Sequence, residues 1–197
     1  MTAAGGFPGE LNVNWLSKGV AAFDCEYGYS CMGYEIAGAW GAKMARPDAE
    51  VIAFVGDGSY LMMNSELYSS VLTGQKLTVI VCDNGGFGVI QRLQVGQGGR
   101  PFNNMFGEQV RVDWAAHARS LGCEGVAVES IAELEEAFDR ARDADRTTVI
   151  AIEVASEAWT PGGAFWEVAV PEVSDREEIA AAHERLLEGK SRQRVGW

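Results

Sequence analysis

Apolar residues follow two patterns along this chain. Val51 to Val55, Leu77 to Cys82 and Thr148 to Val154 are apolar-rich runs without alternation, as expected of strands covered on both faces. Between them, apolar positions recur near helical spacing. Leu61, Met63, Leu67 and Val71 predict a helix ending at Gly74. Ile36, Ala37, Trp40, Gly41 and Met44 predict another over Tyr34 to Ala45, which Pro47 ends before the strand at Val51. Asp113 can cap a helix with Trp114, Ala115, Ala118 and Leu121 inward, leading to a strand at Gly125 to Val128. Ser130 with Glu133 forms a capping-box pattern before Ile131, Leu134, Phe138 and Ala141. Ser174 with Glu177 repeats it before a final helix to about Glu188, followed by a basic tail with Lys190, Arg192 and Arg194. The expected fold is α/β: a doubly wound, mostly parallel sheet of at least four strands with helices on both faces.

Two stretches lack any period. The first thirty residues, with Gly5-Gly6-Phe7-Pro8-Gly9, read as loop and turn where a doubly wound domain normally opens with a strand. The expectation is that the chain starts inside a longer polypeptide, or that a partner subunit supplies the missing part. The run Phe87 to Phe106 is rich in Gly, Gln and Asn, and a loop of that length is usually functional or disordered. No internal repeat or interdomain linker is found, so residues 1–197 read as one domain, with 155–197 as a C-terminal extension carrying the final helix.

The candidate chemistry lies where strands end. Parallel strands joined by a crossover helix bring Asp57 of Gly56-Asp57-Gly58-Ser59 and Asn84 of Asp83-Asn84-Gly85-Gly86 to one edge of the sheet. In open α/β sheets ligands bind at that edge. A carboxylate and an amide oxygen are hard donors that suit Mg²⁺, which completes its octahedron with phosphate oxygens and water. Gly58 and Ser59 open a helix whose N–H groups and dipole favour an anion. The arrangement reads as a metal-bridged diphosphate site. The plainer alternative is a strand-to-helix turn with Asp57 as its cap.

Charge sharpens this. A net charge of −12 argues against nucleic acid or anionic membrane partners and leaves a diphosphate in need of a mediating cation. No apolar run approaches a membrane span, and the N-terminus lacks a basic region followed by an apolar core, so a cytoplasmic protein is expected. Cys25, Cys31, Cys82 and Cys123 have no metal-site spacing and read as reduced, mostly buried thiols. His117 and His183 fall within amphipathic helical patterns rather than in a catalytic motif.

The strand–GDG–helix–strand–Asn order resembles the thiamine diphosphate signature. That resemblance implies the thiamine diphosphate-binding fold, thiamine diphosphate with Mg²⁺ as cofactors, and Asp57, Asn84 and the backbone carbonyl of Gly86 as metal ligands. It groups Gly56, Gly58, Ser59, Phe87 and Gly88 with the cofactor-binding residues. Gly28-Tyr29-Ser30-Cys31-Met32-Gly33 resembles the acetolactate synthase and 2-oxoacid decarboxylase branch. There a bulky apolar residue lies under the bend of the cofactor, which implies a wedge role for Met32 and places the main chain around Ser30 against the aminopyrimidine. The alternative is a methionine packed at a helix start. Gly6 and Phe7 are the implied further diphosphate contacts. Beside the metal site, the stretch after Gly86 is expected to act as a lid, with Val89 and Gln91 lining a substrate pocket; the alternative is a surface excursion.

The flanking blocks EYGYSCMGYE and AFWEVAVPEVS are more specific. They resemble the family of 3D-(3,5/4)-trihydroxycyclohexane-1,2-dione hydrolases, enzymes of myo-inositol catabolism that open a cyclic 1,2-diketone by C–C hydrolysis. The implied partners are a small-molecule substrate and a pyrimidine-binding domain in a preceding segment or partner chain, within a homo-oligomer that is at least a dimer. The activating glutamate of such enzymes is implied on that other domain. This chain, as the C-terminal part of a longer enzyme, is then expected to be inactive alone and to bind cofactor weakly. Two alternatives stay open: another thiamine diphosphate enzyme, acetolactate synthase-like or a 2-oxoacid decarboxylase, and a non-catalytic Rossmann-like interaction module.

Overall fold

The computed structural model describes residues 1–107, 111–160 and 170–194. Its centre is a parallel sheet of β1 (Ile52–Gly56), β2 (Thr78–Asp83), β3 (Glu124–Val128) and β4 (Thr148–Glu153), in the spatial order β1-β2-β4-β3. The helices are α1 (Gly6–Asn14), α2 (Tyr34–Ala45), α3 (Asp57–Met63), α4 (Ser65–Leu72), α5 (Gly88–Gly96), α6 (Trp114–Ser120), α7 (Ile131–Asp143) and α8 (Glu177–Arg192). The expected α/β architecture is therefore present, and all the ladders are parallel.

The unbroken apolar runs are explained by cover on both faces. Val79, Val81, Val149 and Ala151 pack on one side with Ile36 and Ala39 of α2, Tyr60 of α3, Leu67 of α4, and Trp114 and Ala118 of α6. Ile80, Cys82, Ile150 and Ile152 pack on the other with Ala137 and Ala141 of α7. Up to Cys82 and Ile152 the two central strands are buried on both faces, so neither face demands polar residues there. Each fully buried aliphatic side chain here contributes about 1.5–3 kcal/mol.

The described residues divide into two compact units. One comprises Met1–Gly86 and Phe106–Ser156, with the sheet; the other comprises Phe87–Met105 and the described part of Glu157–Trp197, with α5 and α8. Within the second unit the Arg92 guanidinium lies 4.6 Å over the Trp159 ring, and Arg176 Nη2 donates to the Gly98 carbonyl at 3.4 Å.

Several expectations need correction. The first thirty residues are not all loop: Gly6–Asn14 is helical, Pro8 is buried, and the Phe7 ring meets Phe54 edge-on at 6.1 Å. Met1 and Thr2 extend the sheet edge, because Phe54 N donates to Met1 O (3.0 Å) while Thr2 N donates to Asp24 O (2.9 Å). These pairings come from distant backbone, and no local period announces them. In the stretch after Gly86, Gly88–Gly96 is helical too; Asn104 Nδ2 donates to Gln94 Oε1 (2.6 Å) and Gln94 Nε2 to Arg100 O (2.7 Å). Polar side chains brace that segment where apolar spacing is missing.

The helix after Ser59 breaks at Asn64 into α3 and α4. The last helix runs to Arg192 and so takes in Lys190 and Arg192, which were expected in a tail. Its N-cap is Arg176; Ser174 Oγ accepts from Arg176 N (3.1 Å), so the Ser174–Glu177 capping box does not form. The other two caps do form, Asp113 to Ala116 N (2.8 Å) and Ser130 to Glu133 N (3.2 Å). Residues 164–169 of the AFWEVAVPEVS block lie outside the described residues. All four cysteines are free; Cys82 and Cys123 are buried, Cys25 is half-buried and Cys31 is exposed. Among the described residues no helix is long and apolar enough to cross a membrane.

Candidate metal and diphosphate site at the strand ends

The register of β1 on β2 pairs Gly56 with Cys82, which sets the residues following each strand side by side. Asp57 begins α3 and Asn84 follows β2 directly. The Asp57 side chain does not cap α3, whose N-cap is Gly56. Its Oδ1 accepts from Gly58 N at 2.8 Å, and its Oδ2 reaches across to accept from Gly86 N at 2.7 Å. The turn can aim that N–H because Gly85 (φ +80°) and Gly86 (φ +142°) both take backbone conformations that side chains disfavour.

Three polar ends converge here. The inward atom of the Asn84 amide lies 3.2 Å from Asp57 Oδ1 and 2.7 Å from the Gly86 carbonyl oxygen. With its nitrogen inward the amide donates to both; with its oxygen inward, three oxygens form a face that a hard cation would complete. Asp57 is 1% exposed. Burial first, and then the neighbouring Asp83 carboxyl, push its pKa above the usual carboxylate range. A nearby cation reverses that penalty.

Beneath this face Asp83 holds the turn. Its Oδ1 accepts from Gly85 N (2.9 Å) and its Oδ2 from the Trp114 indole Nε1 (2.7 Å). The Trp114 ring packs edge-on against Tyr60 at 5.4 Å, and Tyr60 Oη pairs with His117 Nδ1 at 2.9 Å. Among the described residues a Cβ added to Gly56 would meet no atom within 4 Å beyond its chain neighbours, and its φ of −77° suits any residue. Nothing among the described residues requires glycine there.

A second feature precedes α2. In the turn from Gly28 to Gly33, Ser30 has φ +58° and Gly33 φ +93°. Glu26 accepts from Tyr29 N (2.9 Å) and Cys31 N (2.7 Å), and the buried Glu35 accepts from Gly33 N through Oε2 (2.8 Å). Among the described residues Glu35 Oε1 has no hydrogen-bond partner, and burial raises the Glu35 pKa to about 7. Gly33 is pressed against α3: a Cβ there would lie 2.5 Å from Met63 Cγ.

The family model for the thiamine pyrophosphate enzyme C-terminal TPP binding domain matches residues 9–152. The chain belongs to that family. Curated relatives extend the match over almost all of it. A 3D-(3,5/4)-trihydroxycyclohexane-1,2-dione hydrolase 2 of Bacillus cereus is 40% identical over 204 residues, covering 98% of this chain and 32% of the relative. A 3D-(3,5/4)-trihydroxycyclohexane-1,2-dione hydrolase of Geobacillus thermodenitrificans is 41% identical, covering 94% and 31%. One of Bacillus anthracis is 42% identical, covering 92% and 30%. The chain thus spans about a third of the length of these relatives.

In this TPP-binding domain the sheet unit holds Gly6, Phe7, Ser30, Met32, Gly56, Asp57, Gly58, Ser59, Asn84 and Gly86. Asp57, Asn84 and Gly86 are within hydrogen-bonding reach of one another. The Gly58 N–H is committed to Asp57, which leaves buried Ser59 as the polar side chain of this turn. Ser30 is exposed and Met32 half-buried in the turn before α2, and the Phe7 ring is used in core packing against Phe54. Phe87, Gly88, Val89 and Gln91 lie in the second unit, at and within the start of α5. Sequence reasoning missed Asp83, Trp114, Glu26 and Glu35 as supports. Glu26 and Glu35 are the first and last residues of the EYGYSCMGYE block, a signal that was available; Trp114 carried none beyond its helical spacing.

Proposed function

We propose that this TPP-binding domain holds Mg²⁺ and thiamine diphosphate in an enzyme that opens a cyclic 1,2-diketone by C–C hydrolysis, the trihydroxycyclohexanedione of myo-inositol catabolism. The observation that carries the cofactor reading is the convergence of Asp57 Oδ1, the Asn84 amide and the Gly86 carbonyl, at separations of 3.2 and 2.7 Å. An octahedron with metal–oxygen bonds of about 2.0–2.1 Å has edges of about 3 Å, so this set fits a hard cation such as Mg²⁺. The substrate reading is supported by relatives about 40% identical whose names state that hydrolase.

In this reading Asp57 supplies charge to the cation, Asn84 its amide oxygen and Gly86 its carbonyl. The open space at Gly56 admits a diphosphate close to the backbone, with Ser59 and the adjoining Gly58 beside it. Gly6 and Phe7 add diphosphate contacts from α1, and Phe87 and Gly88 flank the cofactor. Met32 would serve as the apolar wedge for the cofactor, and the Ser30 main chain would meet its aminopyrimidine. Val89 and Gln91 face substrate. Thiamine diphosphate, when bound, supplies an electron sink for the carbon–carbon cleavage. The protein's part is to neutralise the diphosphate, hold the bend and keep stray proton donors out.

Residues 1–197 form one diphosphate-binding domain in this proposal, with an extension from 155. It works with a pyrimidine-binding domain from a preceding segment or a partner chain, in a cytoplasmic homo-oligomer at least dimeric. The test is to supply the intact protein with Mg²⁺ and thiamine diphosphate and offer the cyclic dione or pyruvate. Ring opening of the dione without pyruvate turnover is expected. Turnover of pyruvate instead would point to an acetolactate synthase-like or decarboxylase role, and failure to bind cofactor to a non-catalytic module.

A further inference from the structure

One buried carboxyl in the sheet unit is not directly used by the cofactor site. Glu35 is wholly buried; among the described residues one of its oxygens has no hydrogen-bond partner, and the other accepts the Gly33 N–H. Burying a carboxyl costs free energy that packing alone does not recover, and an apolar residue would fill the same space. Its placement suggests what it achieves. Glu26 takes the N–H groups of Tyr29 and Cys31, and Glu35 takes that of Gly33. Alternate residues of one short turn are thus held by two carboxylates, and the residues between them are Ser30 and Met32. Ser30 sits in a left-handed conformation that L-residues disfavour, so the turn needs external support.

We propose that Glu26 and Glu35 are positioning residues that clamp the Tyr29–Gly33 turn, so that Met32 stands at a set height beside the diphosphate site. This rests on the thiamine diphosphate reading and deepens it. The clamp acts on the organic half of the cofactor, while Asp57, Asn84 and Gly86 act on the metal and diphosphate half. The two halves can therefore be separated by ligand.

The intact protein with Mg²⁺ is titrated with thiamine diphosphate and, separately, with inorganic pyrophosphate, following heat or intrinsic tryptophan fluorescence. For Glu35→Ala and for Glu26→Ala, thiamine diphosphate affinity is expected to fall about tenfold, the size of a lost hydrogen bond to a charged group. Pyrophosphate affinity should stay at the wild-type value. Glu35→Gln keeps an oxygen for the Gly33 N–H and should restore most of the thiamine diphosphate affinity, whereas Glu35→Asp, one methylene shorter, should not. Equal loss for both ligands, or no loss for either, overturns the clamp. If an alanine variant does not fold, the contrast between Glu35→Gln and Glu35→Asp decides alone. A wild-type protein that binds pyrophosphate with Mg²⁺ but not thiamine diphosphate refutes the cofactor reading itself, a result distinct from unchanged variants.

Discussion

The Asp57 carboxylate and the Gly86 backbone N–H meet at 2.7 Å across 29 residues of sequence. This contact joins the end of β1 to the turn after β2, so one side chain both shapes the turn and presents its second oxygen to Asn84. Removing the charge should separate these tasks. Asp57→Asn keeps the volume and an acceptor for Gly86 N, so the fold should survive while Mg²⁺-dependent cofactor binding disappears in calorimetry. Binding equal to wild type would leave the metal assignment without support.

Metal binding should stabilise the protein in a pH-dependent way. The raised pKa of Asp57 means that the folded state holds its proton more tightly than the unfolded chain. The stability this confers is present at low pH and lost as pH rises through the raised value. Mg²⁺ offsets that loss by pairing with the ionised carboxylate. The increase in Tm on adding Mg²⁺ should be larger at pH 8 than at pH 5, as thermal melts at both will show.

Glu35 gives a metal-independent pH effect. Its pKa rises from the ordinary 4.5 to about 7 on burial. Stability from this group is complete below 4.5 and is lost as pH rises through about 7. The upper limit of the change is on the order of 3 kcal/mol, from 1.36 kcal/mol per unit. Urea unfolding of wild type with chelator present should therefore weaken between pH 5 and pH 8, and Glu35→Gln should flatten that slope.

Two glycines should respond in opposite ways. At Gly33 both the φ of +93° and the Met63 side chain oppose a Cβ, so Gly33→Ala should cost about 1–3 kcal/mol of stability. At Gly56 a methyl meets no atom of the other described residues within 4 Å and the backbone is ordinary, so Gly56→Ala should melt like wild type. If a diphosphate approaches there, Gly56→Ala, unlike Gly33→Ala, will combine normal stability with weakened cofactor binding.

Trp114→Phe retains an aromatic ring against Tyr60 but removes the indole donor to Asp83. Loss of a hydrogen bond to a charged partner should cost about 1.5–3 kcal/mol in denaturant unfolding. Because Asp83 also holds Gly85 N, Mg²⁺ affinity should fall with it. A destabilised variant with wild-type Mg²⁺ affinity would confine Trp114 to packing.

Most of the framework was legible from local pattern. The runs at Val51, Leu77 and Thr148 announced β1, β2 and β4 because strands covered on both sides have no polar face to show. Asp113 and Ser130 announced helix starts because a cap is a contact within four residues. From parallel connection alone, Asp57 and Asn84 could be placed at one sheet edge. What escaped was whatever depends on distant neighbours. The α1 helix and the edge pairing of Met1 and Thr2 are supported by Phe54 and Asp24, and α5 by Gln94 and Asn104. The Ser174 cap was written in sequence, yet Arg176 took its place.

By itself, then, the order of residues determined the layered parallel sheet, the pairing of an acid with an amide at its edge and the kind of ligand suited to them, because periodicity, turn chemistry and crossover handedness are properties of nearby residues. Only the tertiary structure decided that Asp57 bonds Gly86 rather than capping its own helix, that Trp114 steadies Asp83, and that two glutamates grip the turn before α2. Those choices depend on burial and on distances between segments brought together by folding, and no stretch of chain carries them alone.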